Sequence, residues 1–270
     1  MRRDEVDLAL DWAAKEGWNP GLYDAETFYK TDPNGFLIGE LNTEPIGCIS
    51  VVAYDDCYGF LGFYIVKPEF RGKGYGFKLW RKGMEYLGSR NIGLDGVVAQ
   101  QDNYKKSGFK LAYRNIRFEG VAKTREYNGL MDANDLYFKE LINYDRLMYP
   151  VHRTTFIKNW ITQPESKALA YRANDNLQGY GVIRKCRKGY KIGPLFADNE
   201  KIAINLFNGL TAEIPGKKFY LDIPEVNPLA IKLAESNDMR VVFETARMYT
   251  NREPDIHMEN IYGVSTFELG

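Results

Sequence analysis

Tyr58-Gly-Phe-Leu-Gly-Phe-Tyr-Ile-Val66, then Lys67-Pro-Glu-Phe-Arg71-Gly-Lys-Gly-Tyr-Gly76, then Phe77 to Gly88, decides the fold of this chain. The first part is aromatic and β-branched, the composition of a strand, and Pro68 ends it. The middle part holds Gly72, Gly74 and Gly76, with Arg71 and Lys73 among them. In the last part Phe77, Trp80, Met84 and Leu87 recur at steps of three, four and three, which puts them on one face of a helix. A strand, a basic glycine turn and a helix in that order form an anion cradle. Glycine tolerates positive φ and lets amide groups approach a ligand. The helix N-terminus adds free donors and a partial positive charge. The expected ligand is a phosphate or pyrophosphate.

The details narrow the choice. A P-loop requires Gly-Lys-Ser/Thr, whereas Gly72-Lys73 is followed by Gly74. A dinucleotide fingerprint requires G-x-G-x-x-G, and the third glycine here comes two residues after the second. What the residues match is Arg-x-x-Gly-x-Gly, as Arg71, Gly74 and Gly76. This resembles the coenzyme A pyrophosphate loop of the GNAT acetyltransferases.

Length and composition set the frame. A chain of 270 residues accommodates one large or two ordinary domains, with globular proportions of apolar and charged residues. Lys+Arg and Asp+Glu balance at 36 each, and residues 1–125 alone carry 18 basic and 17 acidic groups. No charged tail advertises a nucleic acid or a membrane as partner. Cys48, Cys57 and Cys186 are odd in number and far apart, which suggests neither a disulfide framework nor a zinc site. Reduced thiols in a cytoplasmic protein are the expectation. His152 and His257 are too few and too isolated to argue for a metal.

Around the opening stretch, Asp4, with Asp7 as reciprocal partner, reads as the cap of a first helix that stops at Gly17. A second helix starts at Asp24. Strands are expected over 36–41 and 46–53, joined by a turn, and then over 58–66. After the central helix come a buried strand at 92–99, a short helix at 100–107 and a long strand at 109–121. Within the short helix, Tyr104-Lys-Lys-Ser-Gly-Phe109 resembles the Tyr-x-x-x-Gly-Phe segment that GNAT enzymes carry before their penultimate strand. Two motifs in the right order are far more specific than either alone. The family normally opens with a strand, but only Met1-Arg2-Arg3 precede Asp4.

Helices are expected over 132–149 and 151–161, broken at Pro150, and strands over 167–172, 179–185 and 189–195. A helix over 198–212 capped by Asp198, a strand over 218–223, a helix over 227–236 and strands over 239–249 and 261–269 complete the chain. This repeats the order of the first half. Asn227-Pro-Leu-Ala230-Ile-Lys-Leu233-Ala234 resembles the family's Asn-x-x-Ala-x-x-Leu-Tyr, with Ala234 in place of the tyrosine. Gly193-Pro-Leu-Phe-Ala-Asp198 occupies the place of the cradle without its motif. The expected fold class is therefore α/β (α+β), with two tandem GNAT-like domains, each a mixed, mostly antiparallel sheet flanked by helices. Residues 1–125 read as the acetyl-CoA-binding domain and 130–270 as a degenerate copy.

The resemblance implies an acetyl-CoA-dependent N-acetyltransferase acting on the primary amine of a small molecule. The thioester would lie along residues 58–66, in a splay opened against 92–99, with Tyr64, Ile65 and Val66 pairing with the pantetheine arm. Arg71, Gly72, Lys73, Gly74, Tyr75 and Gly76 would hold the pyrophosphate. Tyr104 stands where the family's general acid protonates the coenzyme A sulfur; packing under the cofactor is its alternative role. Asp55, Asp56, Asp102 and Glu119 are base candidates, though solvated carboxylates suit each of them better. Trp12, Trp18 and Trp160 could equally line an acceptor cleft or fill the core. The basic run Arg184-Lys-Cys-Arg-Lys188 with Lys191 reads as a solvated turn. A coenzyme A-binding module without catalysis and a protein-lysine acetyltransferase are the competing functions.

Overall fold

The computed structural model describes all of residues 1–270. Two helices, α1 (Arg3–Lys15) and α2 (Asp24–Thr31), precede an antiparallel meander of β1 (Phe36–Leu41), β2 (Glu44–Ala53) and β3 (Tyr58–Val66). Helix α3 (Tyr75–Leu87) crosses over to β4 (Asn91–Val97), which runs parallel to β3. The short α4 (Gln101–Lys106) and the long β5 (Lys110–Val121) follow. Later residues repeat this plan: β6 (Leu130–Asp132), α5 (Phe138–Met148), α6 (Thr154–Trp160), β7 (Ser166–Ala173), β8 (Asn176–Lys185) and β9 (Tyr190–Ala197). Then come α7 (Glu200–Ala212), β10 (Lys218–Pro224), parallel to β9, α8 (Pro228–Glu235), β11 (Arg240–Tyr249) and β12 (Ile261–Gly263).

The strands form one sheet in the order β1-β2-β3-β4-β11-β5-β10-β9-β8-β7-β6, with β12 on β9. The two halves interlock at its centre. Beside β4 stands β11, from the second half, with Ala246 opposite Gly96. Beside β10 stands β5, from the first, with Leu221 opposite Phe118. The largest core cluster mixes Val6, Phe28 and Phe63 with Trp160, Tyr180 and Phe267. Phe28 on α2 stacks on Trp160 on α6 at a centroid separation of 5.9 Å.

Four arginines are buried on aspartates, and three of these pairs span the halves: Arg117–Asp222, Arg184–Asp24 and Arg247–Asp95. Arg117 and Arg247 each donate two hydrogen bonds to their carboxylate, at 2.6–2.9 Å. Burying such a pair gives back in attraction roughly what desolvation costs, so the pairs fix alignment more than they add stability.

The structure corrects several sequence expectations. Helix α1 begins at Arg3, and Glu5 accepts from the Arg2 amide, in place of the Asp4–Asp7 arrangement. Residues 132–149 are not one helix, because Leu130–Asp132 pairs with β7 and the helix starts only at Phe138. At α7 the cap is Asn199, whose side chain accepts from the Ile202 amide, while Asp198 accepts from the Tyr144 hydroxyl. The last strand stops at Gly263 rather than running to 269. Arg184 and Lys191 are buried rather than solvated, since Asp24 and Asp222 lie against them. No helix is long and apolar enough to cross a membrane.

Candidate active site

The site opens where two parallel strands part. Pairing between β3 and β4 ends at Leu61–Leu94, yet β3 continues to Val66 and β4 to Val97. A bulge on β3 drives them apart: Ser50 pairs with Gly62 and Cys48 with Ile65, so β3 carries one extra residue. Phe63 sits in the bulge at φ +44°, a conformation that costs a non-glycine residue roughly 1–3 kcal/mol. The backbone between Gly62 and Val66 is thereby freed from β4.

Below the splay lies the glycine loop. Gly72 and Gly74 take φ of +73° and +81°, where an added Cβ would meet open space, so backbone conformation demands glycine there. At Gly76 the reason is closeness, since a Cβ would stand 2.7 Å from the Tyr64 hydroxyl. Helix α3 has no capping side chain and no acid in its first turn. The amides of residues 72–77, in the loop and the first turn of the helix, find no acceptor within the chain. Arg71 stands at the rim, its Nε donating to the Val66 carbonyl at 2.7 Å and its Nη2 to Glu16.

The splay and the loop belong to one cleft of about 490 Å³. Tyr64, Ile65, Val66, Arg71, Gly72, Gly74 and Gly76 line it, as Tyr104 does. Lys73 and Tyr75 do not. Lys73 turns back to the Glu69 carbonyl at 2.9 Å, and Tyr75 faces a groove between α3 and β1. Phe77, placed by its period on the buried face of α3, is 63% exposed and lines the cleft mouth, and Leu79 and Gly83 complete the buried face.

Tyr104 is 8% exposed, stacked on Trp80 at 5.6 Å and packed against Gly96, where a Cβ would overlap its ring. Its hydroxyl has no partner in the chain. Burial, with a smaller contribution from Tyr64, pushes its pKa up to about 12. At neutral pH it is a proton donor.

None of Asp55, Asp56, Asp102 or Glu119 lines the cleft. Glu119 is held by Lys218 and Arg240, and Asp55 by the amides of Cys57 and Tyr58. Of the tryptophans only Trp18 reaches it, Trp12 and Trp160 being core. Nothing local in the sequence marks the rest of the wall. Asp95 comes from β4, Phe243 and Thr245 from β11, and Phe267 and Glu268 from the segment after β12. No group of His, Cys, Asp or Glu side chains is arranged to hold a metal.

Two family models match the chain, the "Acetyltransferase (GNAT) family" over residues 4–109 and the "Acetyltransferase (GNAT) domain" over 141–263. A holothin acyltransferase from Pseudoalteromonas sp. (strain SANK 73390) is 32% identical over 270 residues, covering 99% of this chain and 92% of the relative. The chain belongs to the GNAT family of acyltransferases. Among solved GNAT-like folds, a Pyrococcus horikoshii protein superposes with a TM-score of 0.86 at 22% identity, covering 100% of this chain and 94% of the other. A tandem GNAT protein from the clavulanic acid biosynthesis pathway superposes at 0.63 and 14% identity, covering 92% and 96%. The tandem reading of this GNAT chain thus holds, with the addition that its two copies share one sheet.

Proposed function

We propose that the protein transfers an acetyl group from acetyl-CoA to the primary amine of a small molecule, by direct attack within a ternary complex. The observation that carries this reading is the convergence, in one cleft, of parted strands, an uncapped helix start and a buried tyrosine with a free hydroxyl. Amides 72–77 and Arg71 suit a pyrophosphate. The unpaired edge of β3 at 62–66 suits the pantetheine arm, and an amide there would polarise the thioester carbonyl. Tyr104 would give its proton to the departing sulfur.

We assign the cofactor site to residues 1–125 and read 130–270 as a copy that lost it. In that copy Asn199 already caps α7, and Ala234 stands in place of the tyrosine. A wall built from both halves suits a small acceptor better than a protein chain. The relative's name supports that choice, and holothin belongs among the acceptors to be tested. Free cysteines fit a reducing compartment, and we place the protein in the cytoplasm.

The test is a melting shift with acetyl-CoA followed by an amine panel read by thiol release. Ligand at a hundred times Kd stabilises by about 2.7 kcal/mol. No shift refutes the cofactor assignment. A shift without transfer to any amine leaves a coenzyme A-binding module in place of the enzyme.

A further inference from the structure

Three carboxylates line the cleft: Glu16, Asp95 and Glu268. Two are already neutralised. Asp95 takes both arms of Arg247 and a hydrogen bond from Asn115 Nδ2 at 2.7 Å. Glu16 holds Arg71. Glu268 differs. It is 3% exposed, yet no cation lies within ion-pair distance. Its one side-chain partner is the Thr266 hydroxyl, which donates to Oε2. Oε1 accepts no hydrogen bond within the chain, and Glu268 lines the same cleft as Tyr104 and the parted strands.

The segment that carries it is held rigidly. Its backbone rests on Gly62, beside the bulge. Tyr54 and Tyr149 both donate to the Leu269 carbonyl, at 2.8 and 3.0 Å. Arg153 donates to Ser265 Oγ at 2.7 Å and to the Gly270 carbonyl at 3.0 Å. The charged groups that act on Glu268 from the packed strands are Arg117 on β5, Arg184 on β8 and Lys191 on β9. Both arginines are already paired, with Asp222 and Asp24, and Lys191 lies 4.0 Å from Asp222.

We propose that Glu268 is the general base of the acyl transfer, a catalytic group that the second half contributes to the first half's cofactor site. The inference rests on the function proposed above. As the amine nitrogen adds to the thioester carbonyl carbon, its proton passes to Glu268, directly or through one water. The N–C bond forms, the C–S bond breaks, and Tyr104 gives its proton to the sulfur that leaves with the electron pair. Proton transfer through solvent from Glu268 to Tyr104 restores both groups.

The test is Glu268→Gln, which keeps the side-chain volume. General-base assistance is worth about 10²–10⁴-fold, so kcat should fall by that order near neutral pH. At alkaline pH hydroxide can take the proton that leaves the nitrogen as it adds, in place of the carboxylate. The ratio of parent to variant should therefore shrink as pH rises toward about 10. The melting shift with acetyl-CoA should match that of the parent. A parent-like kcat overturns the proposal, as does a loss confined to the acceptor's KM or a ratio that does not change with pH. Thr266→Val, which leaves the carboxylate but removes its holder, should show a smaller loss with the same pH trend; a parent-like profile counts against the proposal. Transfer failing in the parent protein would sink the functional reading itself. Transfer intact in Glu268→Gln would sink only the base.

Discussion

The Glu268 carbonyl oxygen occupies the space where a side chain on Gly62 would stand. The two residues belong to opposite halves of the chain, one beside the β3 bulge and the other past the last strand. Their contact is the point at which the second half reaches the parted strands of the first. It makes Gly62 a spacing residue, chosen for what it lacks.

Gly62→Ala is therefore expected to displace the segment 264–270. Overpacking of this kind costs about 1–3 kcal/mol, and the segment is the part that can yield. Activity should fall further than the melting temperature suggests, since Glu268 and Phe267 move with it. Thermal melting and kcat on the same preparation check this; a parent-like kcat would show that the segment's position is unimportant.

Arg71 and Glu16 make a second expectation. The guanidinium that should meet the pyrophosphate is tied to a carboxylate at the same rim. Arg71→Ala should weaken acetyl-CoA about 10- to 100-fold, the worth of hydrogen bonds to a charged group. Glu16→Gln should do the reverse and tighten binding by at most about fivefold, because a half-exposed pair holds the arginine with about 0.2–1 kcal/mol. Lys73→Ala should change little, as Lys73 folds back onto Glu69 and the Phe70 ring. Titration of all three variants with acetyl-CoA decides the order.

The residues that were legible in the sequence share one property: their signal is local. Gly72, Gly74 and Gly76 announce a loop because backbone conformation or close approach excludes other residues there. Tyr104 lies four residues before Gly108, and that spacing alone carries its resemblance. What could not be read depends on pairing between distant segments. Nothing near Arg240–Tyr249 says that it will enter the sheet between β4 and β5. Arg184 looks solvated until Asp24, 160 residues away, is found against it. Ile261 to Leu269 has the apolar content of a strand, but Glu268 is drawn into the cleft by the anchoring of Leu269 and Gly270.

Tyr104→Phe separates chemistry from packing with little structural cost. The ring keeps its stack on Trp80, and no hydrogen bond within the chain is lost. Melting should be nearly unchanged while kcat falls about 10²–10⁴-fold, with a much smaller effect on KM for acetyl-CoA. The pH dependence follows from the raised pKa. The folded phenol titrates at about 12 against about 10 unfolded, so its contribution to stability is complete below pH 10 and is lost as pH rises through 12. Across pH 6–9 the acid stays protonated, and no alkaline fall in rate should come from it. A parent-like kcat in the phenylalanine variant would remove Tyr104 from the mechanism.

The Arg247–Asp95 pair gives the last expectation. Arg247 reaches from β11 to a carboxylate of β4 that lines the cleft, with both side chains almost wholly buried. Arg247→Leu leaves Asp95 buried without its cation, which costs about 3–5 kcal/mol and should lower the melting temperature on the order of 10 °C. Replacing both partners with apolar residues should recover most of the loss, because the desolvation penalty goes with the charge. The same geometry bears on the halves themselves. Residues 1–125 produced alone would lack β11 and β10, leaving one edge of β4 open and β5 without either neighbour. That fragment should show no cooperative melting, and adding acetyl-CoA should not restore it. A stable 1–125 fragment that binds acetyl-CoA would mean that β11 is dispensable and that the halves fold as separate domains.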